Sequence, residues 1–237
     1  MFHLKLCFFR WEIFGDFMVL TLMNLCREAR DFSRQESVHN EPTLFGVTDG
    51  KAVGTYLEQK FRNYLLARYQ FEVGNSARGI DFPSLNVDMK VTSARQPQSS
   101  CPFRSARQKV YGLGYGLIIF VYDKSDSPEN RTARLNISST IYVEPNKTAD
   151  YQLTSSIAQV LDNNGSEADL IALFMDKNLP VDDIGARDLA REILRDRPQI
   201  GCLTISNALQ WRLQYTRAIE WAGNYDGVHA IYRAAFL

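Results

Sequence analysis

The run Leu117-Ile-Ile-Phe-Val-Tyr122 constrains the fold of this chain more than any other stretch. It has no polar alternation, so it suits a strand buried on both faces. Its neighbours say how such a strand is reached. Thr55 to Tyr69 carries Leu57, Phe61, Tyr64, Leu65 and Tyr69 at helical spacing, with Thr55 and Glu58 in the positions of a capping box. Phe71 to Val73 reads as a short strand closed by Gly74-Asn75. A hairpin follows: a first strand from Gly79, a tight Pro83-Ser84 turn and a second strand to Thr92. Ser93 to Cys101 reads as a polar loop, and about Phe103 to Tyr111 as a short helix ended by Gly112 and Gly114. The order is helix, three strands, helix, strand. A helical crossover between the third and fourth strands implies a parallel pair inside a mixed sheet.

The chemistry concentrates in the second hairpin strand. Strand side chains alternate, so Leu85, Val87, Met89 and Val91 share one face, and Asn86, Asp88, Lys90 and Thr92 the other. Asp88 and Lys90 therefore stand side by side, with Asp81 on the facing strand. The chain holds two other acid-x-Lys triplets, Asp49-Gly-Lys51 in a turn-like Asp-Gly and Glu58-Gln-Lys60 in a helix. Only Asp88-Met-Lys90 lies on a strand with another acid one hairpin away. Mg2+ takes one or two carboxylates and keeps several waters. Asp81 and Asp88 could hold it, with the backbone carbonyl of Met89 as a third oxygen donor. Lys90 would stabilise the charge that develops on a phosphate under attack or orient the attacking water. Glu58 is a possible further acid, and a capping-box glutamate is the plainer account of it. A solvated polar face is the plainer account of the whole strand. The acid-free basic stretch that follows it argues for function.

Global composition is that of an ordinary globular chain: 237 residues, 45% hydrophobic, formal net charge zero. The charge is uneven. Met89 to Tyr122 contains no acid but holds Lys90, Arg95, Arg104, Arg107 and Lys109. Such a local basic stretch can meet a phosphate backbone on a neutral protein. Cys7, Cys26, Cys101 and Cys202 have long spacings without a C-x-x-C pair, which argues against zinc and a disulfide scaffold and for reduced thiols in a cytoplasm. Met1 to Leu25 is apolar but broken by Lys5, Arg10, Glu12 and Asp16, which argues against a membrane span or a signal peptide.

One domain spans 1–237 on this reading: an N-terminal extension of uncertain status over 1–45, a catalytic core over 55–124 and an elaboration over 125–237. In the elaboration Leu135 to Val143 reads as an alternating strand after a loop from Asp123 to Arg134. The rest reads as mostly helical. One helix opens at Ser166 with Asp169, one spans Arg187 to Arg195, and one spans Ser206 to Ala222 and stops at Gly223.

With these residues in place, the order αβββαβ and the set Asp81, Asp88-Met-Lys90 resemble the PD-(D/E)xK nuclease superfamily. Within it, Pro102-Phe-Arg-Ser-Ala-Arg-Gln-Lys109, then Gly112-Leu-Gly-Tyr115 and the apolar strand, look like type II restriction endonucleases. Ile80 stands where the motif's name has proline, and Asp88 fills a slot that is often glutamate. The resemblance covers about Thr55 to Lys124. It implies an α/β restriction-endonuclease-like core with a mixed central sheet flanked by helices. It further implies Mg2+-dependent cleavage of both strands of DNA at a short specific sequence, a homodimer, and a cognate DNA methyltransferase as system partner. By the same match Asp81 and Asp88 are metal ligands and Lys90 the catalytic lysine.

Arginine to guanine and glutamine to adenine are the common major-groove pairings. Arg95, Gln96, Gln98, Arg104 and Arg107 follow the proposed site, and Gln108 and Lys109 could touch phosphate or water. The helix read from Ser206 offers Gln210, Arg212, Gln214, Tyr215 and Arg217. Two other functions compete. One is a structure-specific repair or recombination nuclease on the same core. The other is a secreted glycoprotein binding module, suggested by sequons at Asn130, Asn136, Asn146 and Asn164.

Overall fold

The computed structural model describes residues 18–74, 79–100, 105–206 and 211–235. The predicted parallel pair is its centre. β3 (Val87–Ser93) runs parallel to β5 (Gly116–Ser127), with Asp88 beside Leu117 and Lys90 beside Ile119. α3 (Ala106–Tyr111) lies in the connection between them. β5 continues as a long antiparallel hairpin into β6 (Thr132–Val143), and β6 pairs with β9 (Val228–Arg233). The sheet order is β3-β5-β6-β9, which leaves one edge of β3 open. Leu117 to Tyr122 is buried on both faces: Ile118, Phe120 and Tyr122 join one core, and Leu117, Ile119 and Val121 a second. The hairpin with β6 occupies most of the expected loop at 123–134.

Two helices cover the first core. α1 (Leu22–Val38) takes its N-cap from Thr21, whose hydroxyl accepts the Asn24 N–H. Its buried Leu25, Ala29 and Phe32 belong to the first core, so this part of the 1–45 segment is integral to the fold, while residues 1–17 lie outside the described part. α2 (Gly50–Leu66) buries Val53, Leu57, Phe61 and Leu65 against Val87, Met89 and Phe120. α2 starts five residues before the expected Thr55. Asp49 is its N-cap and accepts the Lys51 N–H at 3.0 Å, so Thr55-Glu58 is no capping box. Gly54 is buried and faces Val91, where a Cβ would come within 4.0 Å of the strand.

The hairpin is tighter than expected. Its first arm is a single bridge, Phe82 to Val87, around a 3-10 turn at Pro83–Leu85. Asn86 ends that turn in the left-handed region (φ 54°), so neither Leu85 nor Asn86 belongs to the strand. β1 (Met18–Val19) pairs in parallel with β2 (Tyr69–Gln70), which stands in place of the expected strand at Phe71 to Val73. The loop from Ser93 contains β4 (Gln98–Ser100).

The C-terminal half is less helical than expected. α4 (Tyr151–Asp162), α5 (Glu167–Asp176) and α6 (Asp183–Arg195) form a third core with Val110 of α3. α5 has the capping box read at Ser166 and Asp169. Of the helix expected over Ser206 to Ala222, residues 207–210 lie outside the described part, and the rest holds β8 (Arg212–Gln214) and a short α7 (Thr216–Trp221), with β7 (Thr204–Ile205) just before it. Leu213 and Tyr215 are fully buried while Gln214 between them is exposed, a period of two that only a strand satisfies. β8 pairs antiparallel with both β4 and β7 in a small second sheet. Among the described residues no helix is long and apolar enough to cross a membrane.

Candidate active site

Four side chains that sequence spacing singled out meet at the open edge of β3. Asp88 and Lys90 do share a face: the Lys90 Nζ stands 2.7 Å from Asp88 Oδ2. Asp81 reaches them from the tight turn. Its Oδ2 accepts the Met89 N–H at 3.0 Å, and its Oδ1 accepts from Arg62 Nη2 at 2.7 Å. A strand residue points its N–H and C=O the same way, so the Met89 carbonyl also faces this open edge. Glu58 and Arg62 come from α2, one turn apart, and bring an acid and a cation to the cluster.

The electrostatics show a concentration of negative charge that Lys90 and Arg62 only partly offset. Asp88 is 2% exposed. Burial, opposed by the Lys90 ammonium and reinforced by Asp81, pushes its carboxyl up to about 6. Burial pushes Glu58 up to about 7, with Asp81 and Asp88 adding to the rise and Lys90 and Arg62 opposing it. Burial pulls the Lys90 ammonium down, but Asp88, Asp81 and Glu58 together outweigh it and hold the group above its ordinary value. Asp88 Oδ2 has no well-aligned hydrogen-bond donor despite the nearby ammonium. These features fit a divalent cation, which would lower both carboxyl values and engage the unmet oxygen. Among the described residues no three His, Cys, Asp or Glu side chains are grouped to hold a metal by themselves.

Glu58 also lines a groove of about 840 Å³ that runs between the start of α2, the ends of β3 and β5, and β4. Of the expected DNA contacts, Arg95, Gln96 and Gln98 line it. Those on α3 do not, and their side chains are engaged elsewhere. Arg107 makes paired hydrogen bonds to Glu192 of α6 and stacks on Tyr111. Gln108 donates to the Leu113 carbonyl, and Lys109 is buried beneath the Trp211 ring. Arg104 and Gln210 lie outside the described residues. Arg217 stacks on Tyr151 at 3.7 Å, and Tyr215 is in the core. Sequence reasoning missed Arg62. Its position four residues after Glu58 was the available signal.

The model of the type II restriction enzyme NspV family matches residues 19–230 of this chain. The type II restriction enzyme NspV of Nostoc sp. (strain ATCC 29411 / PCC 7524) is 63% identical over 215 residues, which are 91% of this chain and 98% of that protein. The chain belongs to the NspV family of type II restriction enzymes. No solved structure matches it. Family membership makes the chain a site-specific restriction endonuclease, a hydrolase acting on DNA. It also sets aside both the repair nuclease and the secreted glycoprotein.

Proposed function

We propose that the chain hydrolyses both strands of double-stranded DNA at a short specific sequence with Mg2+, and that Asp81, Asp88, Lys90 and Glu58 form its catalytic centre. The observation that carries this reading is the acid cluster at the β3 edge, in which Asp88 is buried, Asp81 and Glu58 are half-buried, and one ammonium stands 2.7 Å from Asp88. Asp81, Asp88 and the Met89 carbonyl would hold the cation. When bound, Mg2+ supplies positive charge against the scissile phosphate. The chain's own groups do the rest. Arg62 fixes the Asp81 carboxylate through one oxygen, and the Met89 N–H fixes the other. Lys90 presents N–H donors to a phosphate oxygen or to the attacking water, and Glu58 closes the acidic wall on the groove side. Fixed charges of this kind need no reorganisation as the phosphate gains negative charge. Water attacks phosphorus, the bond to the leaving ester oxygen breaks, and that oxygen takes up a proton.

On this reading the chain is a single nuclease domain with a PD-(D/E)xK core. It acts in the cytoplasm as a homodimer on a palindromic site, since twofold protein symmetry mirrors site symmetry. A cognate methyltransferase protects the host DNA. The test is incubation of the protein with a sequenced phage DNA and Mg2+, followed by mapping of the ends. Discrete fragments with one common end sequence are expected, and none from folded Lys90→Ala or Asp88→Ala. A folded variant cutting at the wild-type rate would remove that residue from the site.

A further inference from the structure

β4 and β8 are more than a hundred residues apart in sequence, yet they form one antiparallel ribbon along the groove. Gln98 pairs with Gln214, Ser99 with Leu213 and Ser100 with Arg212. Leu213 packs in the core, and Ser99 Oγ shares a hydrogen bond with the buried Tyr215 hydroxyl, so these two point inward. By strand alternation Gln98, Ser100, Arg212 and Gln214 share the opposite face. Gln98, Ser99, Ser100 and Arg212 line the groove that Glu58 also lines, and Gln214, opposite Gln98, is exposed. Among the described residues the Arg212 guanidinium and the amides of Gln98 and Gln214 make no side-chain hydrogen bond. Arg107 is bound to Glu192, by contrast, and Arg217 is stacked on aromatics.

We infer that this ribbon face reads the target sequence in the major groove, with Arg212 contacting a guanine edge and Gln98 and Gln214 contacting adenine edges. The inference rests on the endonuclease reading above and deepens it. A two-stranded ribbon fits the major groove, and arginine and glutamine are the side chains that match guanine and adenine there through two bonds each. The ribbon is also coupled to the catalytic strand. Thr92, two residues beyond Lys90 and buried, donates its hydroxyl to the carbonyls of Gln96 and Gln98 at 3.3 and 3.2 Å. At the far end Asp150 accepts the N–H of Leu153 in α4 and of Ile205 in β7, at 2.8 and 2.7 Å. A base contact made by the ribbon therefore sets where the scissile phosphate lies relative to Asp88 and Lys90.

The test uses the full-length protein. End mapping on sequenced phage DNA first gives the wild-type site, which establishes the endonuclease independently of the ribbon. Arg212→Ala, Arg212→Lys, Gln98→Ala and Gln214→Ala are then compared on DNA carrying that site and on DNA with one base pair of it changed. Each loss of a two-bond base contact is expected to lower cleavage at the intact site by roughly 10- to 100-fold. It should also narrow the gap to the altered site at one base position, while the salt dependence of binding stays as in wild type. Lysine, without the guanidinium fork, should not restore discrimination. Wild-type discrimination in all four folded variants would overturn the inference. So would a uniform loss on every sequence with a salt slope reduced by about one per variant, which marks phosphate contacts.

Discussion

Replacing Asp88 with Asn should make the metal-free protein more stable at neutral pH and inactive at the same time. Asp88 is almost fully buried, and its carboxyl is raised from 3.8 to about 6 by burial, with Lys90 opposing and Asp81 adding. A carboxyl raised on folding holds its proton more tightly in the native state. Its contribution to stability is therefore intact at low pH and is lost as the pH climbs from about 4 through about 6. The shift of roughly two pH units corresponds to about 3 kcal/mol lost by pH 7.5, with the attraction to Lys90 already included. Asn carries no charge and escapes that loss. About 3 kcal/mol is the ceiling, since the Asn amide must find partners of its own. For a chain of this size, a gain of 1–3 kcal/mol raises the melting temperature by roughly 3–10 °C. Thermal unfolding in EDTA should show the gain at pH 7.5 and only about a third of it at pH 4.5, where the native carboxyl is already protonated. Saturating Mg2+ at a hundred times its dissociation constant should stabilise wild type by about 2.7 kcal/mol and leave the variant unmoved. An Asn variant that gains no more at pH 7.5 than at pH 4.5 would refute the claim that buried charge at Asp88 strains the fold. An Asn variant that cuts DNA would remove Asp88 from the chemistry.

Other outcomes follow from the same geometry. Lys90→Ala should lower single-turnover cleavage by roughly 100-fold or more while the far-ultraviolet spectrum is unchanged, because it removes a fixed charge aimed at the phosphate. The Mg2+ concentration that half-saturates cleavage should fall from pH 6 to pH 8, since ligand carboxyls must lose their protons to bind and Asp88 and Glu58 sit at about 6 and about 7. Glu58→Gln should flatten the upper part of that dependence, and an unchanged profile would exclude Glu58 from the cation site. Arg62→Ala frees Asp81 from its 2.7 Å partner. It should cost about 1–3 kcal/mol in urea unfolding and raise the Mg2+ requirement, whereas Arg62→Lys should restore part of both. Thr92→Val should leave overall stability within about 1.5 kcal/mol of wild type but weaken discrimination between the intact and altered sites, because it unties the ribbon from β3.

The shared face of Asp88 and Lys90 on β3 was legible because strand alternation is local. Two residues apart on a strand means one face, and the Asp88–Lys90 pair needed no tertiary information. The parallel pairing of β3 and β5 was equally legible, since a buried apolar strand reached through a helix has few other places to lie. What sequence obscured depended on contacts made at a distance. Asp49-Gly50 read as a turn, but Asp49 is the N-cap of α2 and the helix runs through Gly50 and Gly54. Arg107 and Lys109 read as free cations beside the site. Whether a cation is free is decided by what faces it, here Glu192 and Trp211, each about a hundred residues away. The Ser206 to Ala222 stretch read as helix because Ala, Leu, Gln and Arg favour one. β8 forms because Leu213 and Tyr215 complete a core already built from β5 and β6.

The same misreading bears on specificity. Read as a helix, Arg212 and Gln214 would lie on different sides of a cylinder, and neither would relate to Gln98. As strands, they stand opposite Ser100 and Gln98 in fixed register. Register carries recognition here because a slip of one residue would turn Arg212 into the core and Leu213 into the groove. Leu213 and Tyr215 are fully buried and hold that register from below. The apolar side of the ribbon and its polar side are thus one device: core packing fixes where the guanidinium and the two amides stand. A Leu213→Ala variant should therefore lose sequence discrimination as well as stability, the latter by roughly 2–5 kcal/mol. If it loses stability and keeps full discrimination, the ribbon is scaffold only.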